Sequence, residues 1–229
     1  MYRRSFSMSS KQGSSMQNQA YQFIRQKIAL CEFAPNQMIS ESQLQEELGF
    51  SRTPVREAIG RLAQEGLLKV FPKRGIMVSG ISIGDIHQIF EVRLLVEPYV
   101  IRTCHSELDL EEISRFSQIF HARVSGENQV SDFYALDDEF HSYLISGLKN
   151  DYLLDLYDRI RTQNIRLRIM SGQFIQSRID QTMMEHAQIA DACLKKDWEQ
   201  AALAMTEHLR YSKESSLATI LQNSTPDIF

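Results

Sequence analysis

Apolar residues recur at helical spacing in three successive stretches near the start of the chain. The first covers 17–33 and ends before Pro35, and the second, ISESQLQEELGF, is capped by a serine and ends at Gly49. The third begins at Pro54, where a missing N–H costs no hydrogen bond, and stops at Gly66. Two short runs rich in branched residues, LLKVF and GIMVS, then flank the turn PKRG. This order predicts a winged helix-turn-helix.

From Ile81 onward the hydrophobic pattern is helical throughout. The predicted helices cover 82–104, 109–125, 129–147, 151–171, 176–195 and 197–221. Short polar breaks between them favour an all-α bundle of six helices. The predicted fold class is therefore mostly α. Its predicted parts are a disordered leader at 1–15, a winged helix-turn-helix at 16–79, a six-helix bundle at 80–222 and a tail at 223–229.

Charge divides the chain in the same way. Residues 1–80 hold 11 of the 25 Lys and Arg but only 6 of the 29 Asp and Glu, a net charge of +5 against −9 for the remainder. A basic N-terminal part and an acidic C-terminal part suggest that only the N-terminal part binds a polyanion. The three cysteines are widely spaced and no apolar run could span a membrane, which favours a reduced, cytoplasmic compartment.

Three arginines stand in or beside the third predicted helix. Arg52 and Arg56 are four residues apart near its first turn, where a helix entering a groove end-on makes its first contacts. Arginine carries a planar fork that matches the two major-groove acceptors of guanine. The alternative is a solvated helix face whose arginines pair with Glu57 or Glu65. Arg61 is assigned to that face, because it lies away from the groove-facing end.

The stretch SESQLQEELGFSRTPVREAIGRLAQEGLL, followed by PKRGIMV, closely resembles the DNA-binding domain of GntR-family bacterial transcription regulators over residues 17–79. The resemblance implies that arginines at positions 52 and 56 contact operator bases or backbone and that the wing tip touches the minor groove. Hydroxyl and N–H groups at the helix N-terminus can also hold phosphate. The predicted DNA-binding residues are Ser51, Arg52, Thr53, Arg56, Lys73, Arg74 and Gly75.

Four polar residues interrupt the apolar helix faces of the acidic C-terminal part. They are Asp137, His141, His186 and His208. Asp137 and His141 are four residues apart and so share one helix face. An unpaired buried carboxylate is costly, and a divalent metal would satisfy all four groups at once. Each histidine taken alone is as well explained by a surface position or a hydrogen bond.

Two segments in the bundle carry a second resemblance. LDDEFHSYLISGLKNDYLL and EHAQIADACLKKDWEQAALAMTEHL look like the FCD ligand-binding domain of FadR-type GntR regulators, over residues 81–222. Many members hold a metal with one Asp and three His, and all four matching positions are present here. Zinc or nickel is the expected ion, with iron or manganese as alternatives. Six helices resemble the shorter, VanR-like branch.

Two further residues point inward from apolar stripes, Arg93 in the first bundle helix and Asn164 in the fourth. A buried guanidinium needs an anionic partner, which Glu97 or Asp137 could supply as a structural salt bridge. The resemblance implies instead that Arg93 meets the carboxylate of a small organic acid that also binds the metal. Arg93 and Asn164 are therefore the predicted effector-binding residues.

These observations together predict a cytoplasmic regulator that binds an inverted-repeat operator as a homodimer, and the resemblance implies that it is a repressor. A small carboxylate metabolite at the metal would alter operator binding. The rival interpretation is a metal-dependent hydrolase or lyase acting on small organic acids, for which Glu185 and Asp138 are candidate general bases. A third interpretation gives the metal a purely structural role or makes the metal itself the signal.

Overall fold

The computed structural model describes residues 15–123, 130–170 and 176–223. The chain divides into two compact units, with the boundary between Ser82 and Ile83. The predictions for a disordered leader and a tail fall almost wholly outside the described residues. Ser15 is described, and its hydroxyl caps the first helix by accepting from the N–H of Asn18.

The N-terminal unit contains three helices and a small antiparallel sheet in its described residues. The helices are α1 (Met16–Ala29), α2 (Glu41–Leu48) and α3 (Arg52–Gln64). The strands are β1 (Met38–Ile39), β2 (Leu68–Phe71) and β3 (Gly75–Val78), in the order β1-β3-β2. The predicted winged helix-turn-helix is thus confirmed, with one strand more than expected. The sequence pattern did not predict β1, because a strand of two residues is too short to show alternating polar and apolar positions.

Local chemistry explains where these helices begin and end. The hydroxyl of Ser40 accepts from the N–H of Gln43 and caps α2, and Gly49 ends that helix in the left-handed conformation at φ 67°. In α1 the chain turns earlier than Pro35, because Cys31 already has a left-handed φ of 54°.

The start of α3 corrects the sequence-based boundary. The helix begins at Arg52, with Ser51 as its N-cap residue, so Pro54 occupies the third helical position rather than the first. Proline is tolerated there because the first four N–H groups of a helix have no intrahelical partner. Arg52 and Thr53 therefore belong to the helix and not to a preceding turn.

The C-terminal unit is helical throughout its described residues. Its helices are α4 (Ile83–Thr103), α5 (Leu110–Arg123), α6 (Val130–Ile145), α7 (Asp151–Met170), α8 (Gln176–Leu194) and α9 (Trp198–Asn223), with a single 3-10 turn at His105–Glu107. Six α-helices are thus described here, as the sequence predicted. The boundaries differ from the predicted ones by a few residues.

A buried aromatic group lies at the centre of this bundle. Phe116 and Phe120 of α5 pack edge-on against Phe140 of α6, with ring centroids 5.2 and 5.0 Å from that ring. The His186 ring of α8 lies 5.1 Å from Phe120 and 5.2 Å from Phe140. The apolar core therefore supplies one dry wall for the polar groups described below.

Helices long and apolar enough to cross a membrane are absent from the described part of the chain.

Candidate metal centre and nucleic-acid interface

One face of α3 is exposed and cationic. The opposite face carries the apolar residues Val55, Ala58, Ile59 and Leu62 into the core of the N-terminal unit. The side chains of Arg52 and Arg56 are 67% and 59% exposed, and Ser51 and Thr53 are also exposed. These four residues are therefore accessible to a duplex, and their contact with DNA stays a prediction.

The carboxylate of Glu41 forms ion pairs with both Arg52 and Arg56. Glu41, in the first turn of α2, contacts Arg52 Nε through Oε2 at 3.0 Å and Arg56 Nε through Oε1 at 3.1 Å. Sequence reasoning missed this pairing, because Glu41 lies on another helix. Ion pairs this exposed contribute little to stability, so the contact mainly fixes where the two guanidinium groups stand.

Arg61 has a different environment. Its guanidinium lies 3.6 Å from the centroid of the Tyr21 ring, and its Nε donates to Glu65 at 3.3 Å. The predicted pairing with Glu65 is thus present. Arg61 thus contacts both Tyr21 of α1 and Glu65.

The wing tip is a tight turn with two exposed basic side chains. The carbonyl of Phe71 accepts from the N–H of Arg74 at 3.0 Å, and Lys73 has a φ of 62°. Gly75 follows at φ 117°, a conformation that side-chain-bearing residues rarely adopt, and a Cβ there would lie 3.1 Å from Met38 Cε. The glycine thus permits the turn that presents Lys73 and Arg74 to solvent.

Three histidines converge inside the C-terminal unit. His141 of α6, His186 of α8 and His208 of α9 are all buried, and each offers a ligand nitrogen within 4.8 Å of the others. The Nε2 atoms of His186 and His208 are 3.3 Å apart. Ligands that share one ion at about 2.1 Å stand about 3–4 Å from one another, so this spacing suits a common metal.

Asp137 lies beside this cluster. Its Oδ1 is 3.7 Å from His186 Nε2 and its Oδ2 is 3.9 Å from His141 Nε2. The structure therefore gathers all four predicted metal ligands. Three imidazoles and a carboxylate are a donor set that divalent transition metals accept, so the residues present fit the predicted ion.

Carboxylates fix the tautomers of two of the rings. His141 Nδ1 lies 2.7 Å from Glu97 Oε2, and His208 Nδ1 lies 2.7 Å from Glu185 Oε2. An ionised carboxylate only accepts, so each Nδ1 carries a proton, and Nε2 is the nitrogen left to face the cluster. A carboxylate behind a histidine is the usual outer support of a metal ligand.

Burial controls the ionisation of this cluster. It lowers the pKa of His186 well below its usual range, with further lowering by His208, and the pKa of His208 is likewise lowered by burial and by His141. Burial opposes ionisation of Asp137, but the neighbouring Arg168 guanidinium outweighs it and holds the pKa of that carboxyl below its usual range. Neutral His186 and His208 beside an ionised carboxylate are ready to bind a cation.

Arg93 is buried among polar partners. Its Nε donates to Glu97 Oε1 at 2.6 Å, and its Nη1 donates to Asn164 Oδ1 at 3.1 Å. The Tyr157 hydroxyl donates to the same carboxylate at 2.8 Å. The structural salt bridge with Glu97 is therefore present, and both Arg93 and Asn164 point inward as expected.

A small polar pocket lies beside Asp137. It is lined by Phe90, Arg93, Phe133, Asp137, Asn164, Arg168, Thr182, Ser212 and Ser216. Both predicted effector-binding residues line it, together with one predicted metal ligand.

Sequence reasoning missed Arg168 of α7, which forms a salt bridge with Asp137 Oδ2. The two carboxylates that the rival interpretation offers as general bases both have cationic partners. Asp138 accepts from Arg161 Nε at 2.9 Å, and Glu185 pairs with Arg178 at 2.8 Å as well as holding His208. Both are engaged in ion pairs, Asp138 with an arginine of the next helix and Glu185 with an arginine of its own helix.

Two family models match the chain. The model for bacterial regulatory proteins of the gntR family covers residues 16–78, and the model for the FCD domain covers residues 88–211.

Individual relatives agree with these matches. The chain is 31% identical over 208 residues to the HTH-type transcriptional repressor RspR of Escherichia coli K12, covering 90% of this chain and 91% of that protein. A regulator structure from Rhodococcus sp. RHA1 shares the fold at a TM-score of 0.74 with 21% identity, covering 90% of this chain and 99% of that one. The E. coli McbR/YncC structure shares it at 0.77 with 17% identity, covering 93% and 100%. The chain therefore belongs to the GntR family of transcription regulators, as a member with an FCD domain, and not to an enzyme family.

Proposed function

We propose that this regulator represses its target genes by binding an inverted-repeat operator as a homodimer, and that a small carboxylate bound at the metal centre changes its operator affinity. The proposal of a ligand-binding metal centre rests on one observation. Asp137 and three histidines converge beside a polar cavity. The relative named a repressor supports the direction of regulation. A regulator of this kind acts in the cytoplasm, where its operator lies.

The proposed DNA-binding surface consists of α3 and the wing. Its predicted DNA-binding residues are Ser51, Arg52, Thr53, Arg56, Lys73, Arg74 and Gly75. Arg52 and Arg56 supply forked donors for base edges or phosphates at the exposed start of α3. Lys73 and Arg74 supply charge at the wing tip. A two-fold dimer presents two such DNA-binding surfaces to the two halves of a palindromic site.

Replacing Arg56 with alanine is expected to weaken operator binding by about 1–3 kcal/mol, because one forked base contact is lost. The measurement is a fluorescence anisotropy titration at fixed salt concentration. Arg61→Ala is the matched control, since it removes a similarly exposed arginine from the same helix but one that faces Tyr21 and Glu65. Equal operator affinities for wild-type protein and Arg56→Ala would exclude Arg56 from the interface.

The proposed sensor site uses Asp137, His141, His186 and His208 to hold a divalent ion, with zinc or nickel foremost and iron or manganese as alternatives. Such an ion supplies a Lewis-acidic position for a carboxylate oxygen of the ligand. Glu97 and Glu185 keep the Nδ1 protons in place and so aim the Nε2 lone pairs of His141 and His208 inward. Arg93 and Asn164 stand at the cavity wall, where they can bind the ligand.

Elemental analysis and native mass spectrometry of the full purified chain test this half of the proposal. We expect about one equivalent of a divalent metal per chain and a dimeric mass. Because linkage is reciprocal, a carboxylate that weakens operator binding must bind less tightly to the operator complex by the same factor. A protein that carries metal but whose operator affinity no carboxylate alters would leave the metal a structural role only.

A further inference from the structure

We infer that Glu41 is a positioning residue that makes this regulator more selective among DNA sequences, because it holds Arg52 and Arg56 in one orientation. The inference rests on the proposed function, since it takes these two arginines as part of the DNA-binding surface. It gives an acidic residue, which repels DNA phosphates, a role in sequence recognition. Removal of the Glu41 charge should therefore weaken discrimination between sequences and strengthen binding to DNA of unrelated sequence.

The first argument is the geometry of the shared carboxylate. Glu41 Oε2 lies 3.0 Å from Arg52 Nε, and Glu41 Oε1 lies 3.1 Å from Arg56 Nε, so each oxygen serves one guanidinium group. Both contacts are made through Nε, and this carboxylate does not use the edge formed by the two terminal nitrogens of either arginine. That edge is the fork that matches the O6 and N7 acceptors of guanine in the major groove.

The second argument is the position of Glu41 itself. It is the first residue of α2, a helix whose start is capped by the Ser40 hydroxyl. Its backbone carbonyl also accepts from the Gln45 side chain at 3.1 Å. The Glu41 side chain is 28% exposed, against 67% and 59% for the two arginines. Two long, exposed side chains are thus tied to a carboxylate that the start of a capped helix holds in place.

The third argument is the balance between two kinds of DNA contact. An arginine on a flexible stem can reach any nearby phosphate, which adds affinity without sequence information. An arginine already held in one orientation loses less rotamer freedom when it meets a base edge. The Glu41 carboxylate also cancels one of the two positive charges that the arginines bring to this surface. It therefore lowers the phosphate contribution and favours the contacts that carry sequence information.

The test is a fluorescence anisotropy titration of the full chain with two labelled duplexes at several salt concentrations. One is the duplex that wild-type protein selects from a random-sequence library, and the other is a shuffled duplex of the same length and composition. For Glu41→Gln we expect the ratio of the two affinities to fall about 10-fold, the effect of loosening one forked base contact. Binding to the shuffled duplex should tighten about 2- to 5-fold and depend more steeply on salt concentration, because one anion near the phosphates is gone.

Two variants separate the position of the carboxylate from its charge. Glu46→Gln removes the same charge from an exposed residue of α2 that lies five positions further on, and so on another face of the helix. It should bind both duplexes like wild type. Glu41→Asp keeps the charge on a shorter stem, so it should restore the weak binding to the shuffled duplex but only part of the discrimination.

A folding defect would have a different signature, since a misfolded variant loses affinity for both duplexes. The two arginines supply a further check. If Glu41 acts through them, Glu41→Gln should have almost no effect on discrimination in a protein that already carries Arg52→Ala and Arg56→Ala.

The remaining outcomes each overturn a stated part. An equal change in affinity for both duplexes shows that Glu41 only repels DNA or only supports α2, and it refutes the positioning role while the proposed DNA-binding surface stands. If the protein carrying Arg52→Ala and Arg56→Ala binds the selected duplex as tightly as wild type, the proposed surface fails and this inference fails with it.

Discussion

Replacement of His208 with alanine is expected to reduce metal affinity by more than about 100-fold, beyond the usual effect of losing an outer support of a metal ligand. His208 stands within ligand distance of His141 and His186, so its loss removes one of three imidazole donors. Its Nδ1 proton, held by Glu185, fixes the ring orientation that the ion needs. Elemental analysis after dialysis against a weak chelator measures the effect.

His121→Ala is the matched control for that experiment. This histidine lies on α5, is 59% exposed and pairs with Asp191 rather than with the cluster. Its replacement should leave metal content unchanged. Asp137→Ala should resemble His208→Ala, because it removes the carboxylate donor. Full metal content in both Asp137→Ala and His208→Ala would refute the assigned site.

Glu97→Gln is expected to lower the free energy of unfolding of the C-terminal unit by about 3–5 kcal/mol, the usual effect of breaking one partner of a buried ion pair. Glu97 accepts from Arg93, His141 and Tyr157, all buried. Glutamine has nearly the same shape but no charge, so it leaves the Arg93 guanidinium buried without its anion. The only tryptophan, Trp198, lies in α9 and reports on this unit in a urea titration followed by fluorescence.

The pH dependence of the free energy of unfolding gives a second test of Glu97. Burial opposes ionisation of Glu97, but Arg93 and His141 outweigh it and hold the pKa of its carboxyl below the usual range. A lowered pKa in the folded state contributes stability that is present above the unfolded value of about 4.3 and is lost as pH falls toward the folded pKa. Wild-type protein should therefore lose stability below about pH 4 more steeply than Glu97→Gln.

Glu91→Gln provides the comparison, since Glu91 is exposed on the same helix. It should change the stability by less than about 0.5 kcal/mol. A loss for Glu97→Gln no larger than that for Glu91→Gln would mean that the buried ion pair adds nothing to the fold.

The differences between sequence and structure have identifiable physical causes. α3 starts two residues before Pro54, because proline is compatible with any position whose N–H is unpaired and so does not mark the first one. β1 is stabilised by pairing Met38 with Met77 and Ile39 with Ile76, across nearly 40 residues of chain. A local pattern carries no signal for such a pairing.

By itself, the sequence determined the helices, the wing, the division into a basic and an acidic half and the inward position of the four candidate ligands. Those features follow from periodicity and turn chemistry, which act over a few residues. Only the tertiary structure decided which charges meet. Glu41 faces Arg52 and Arg56, Glu97 and Glu185 support His141 and His208, and Arg168 faces Asp137. All of these pairs join different helices, because helix packing and not local spacing sets the distance between their side chains.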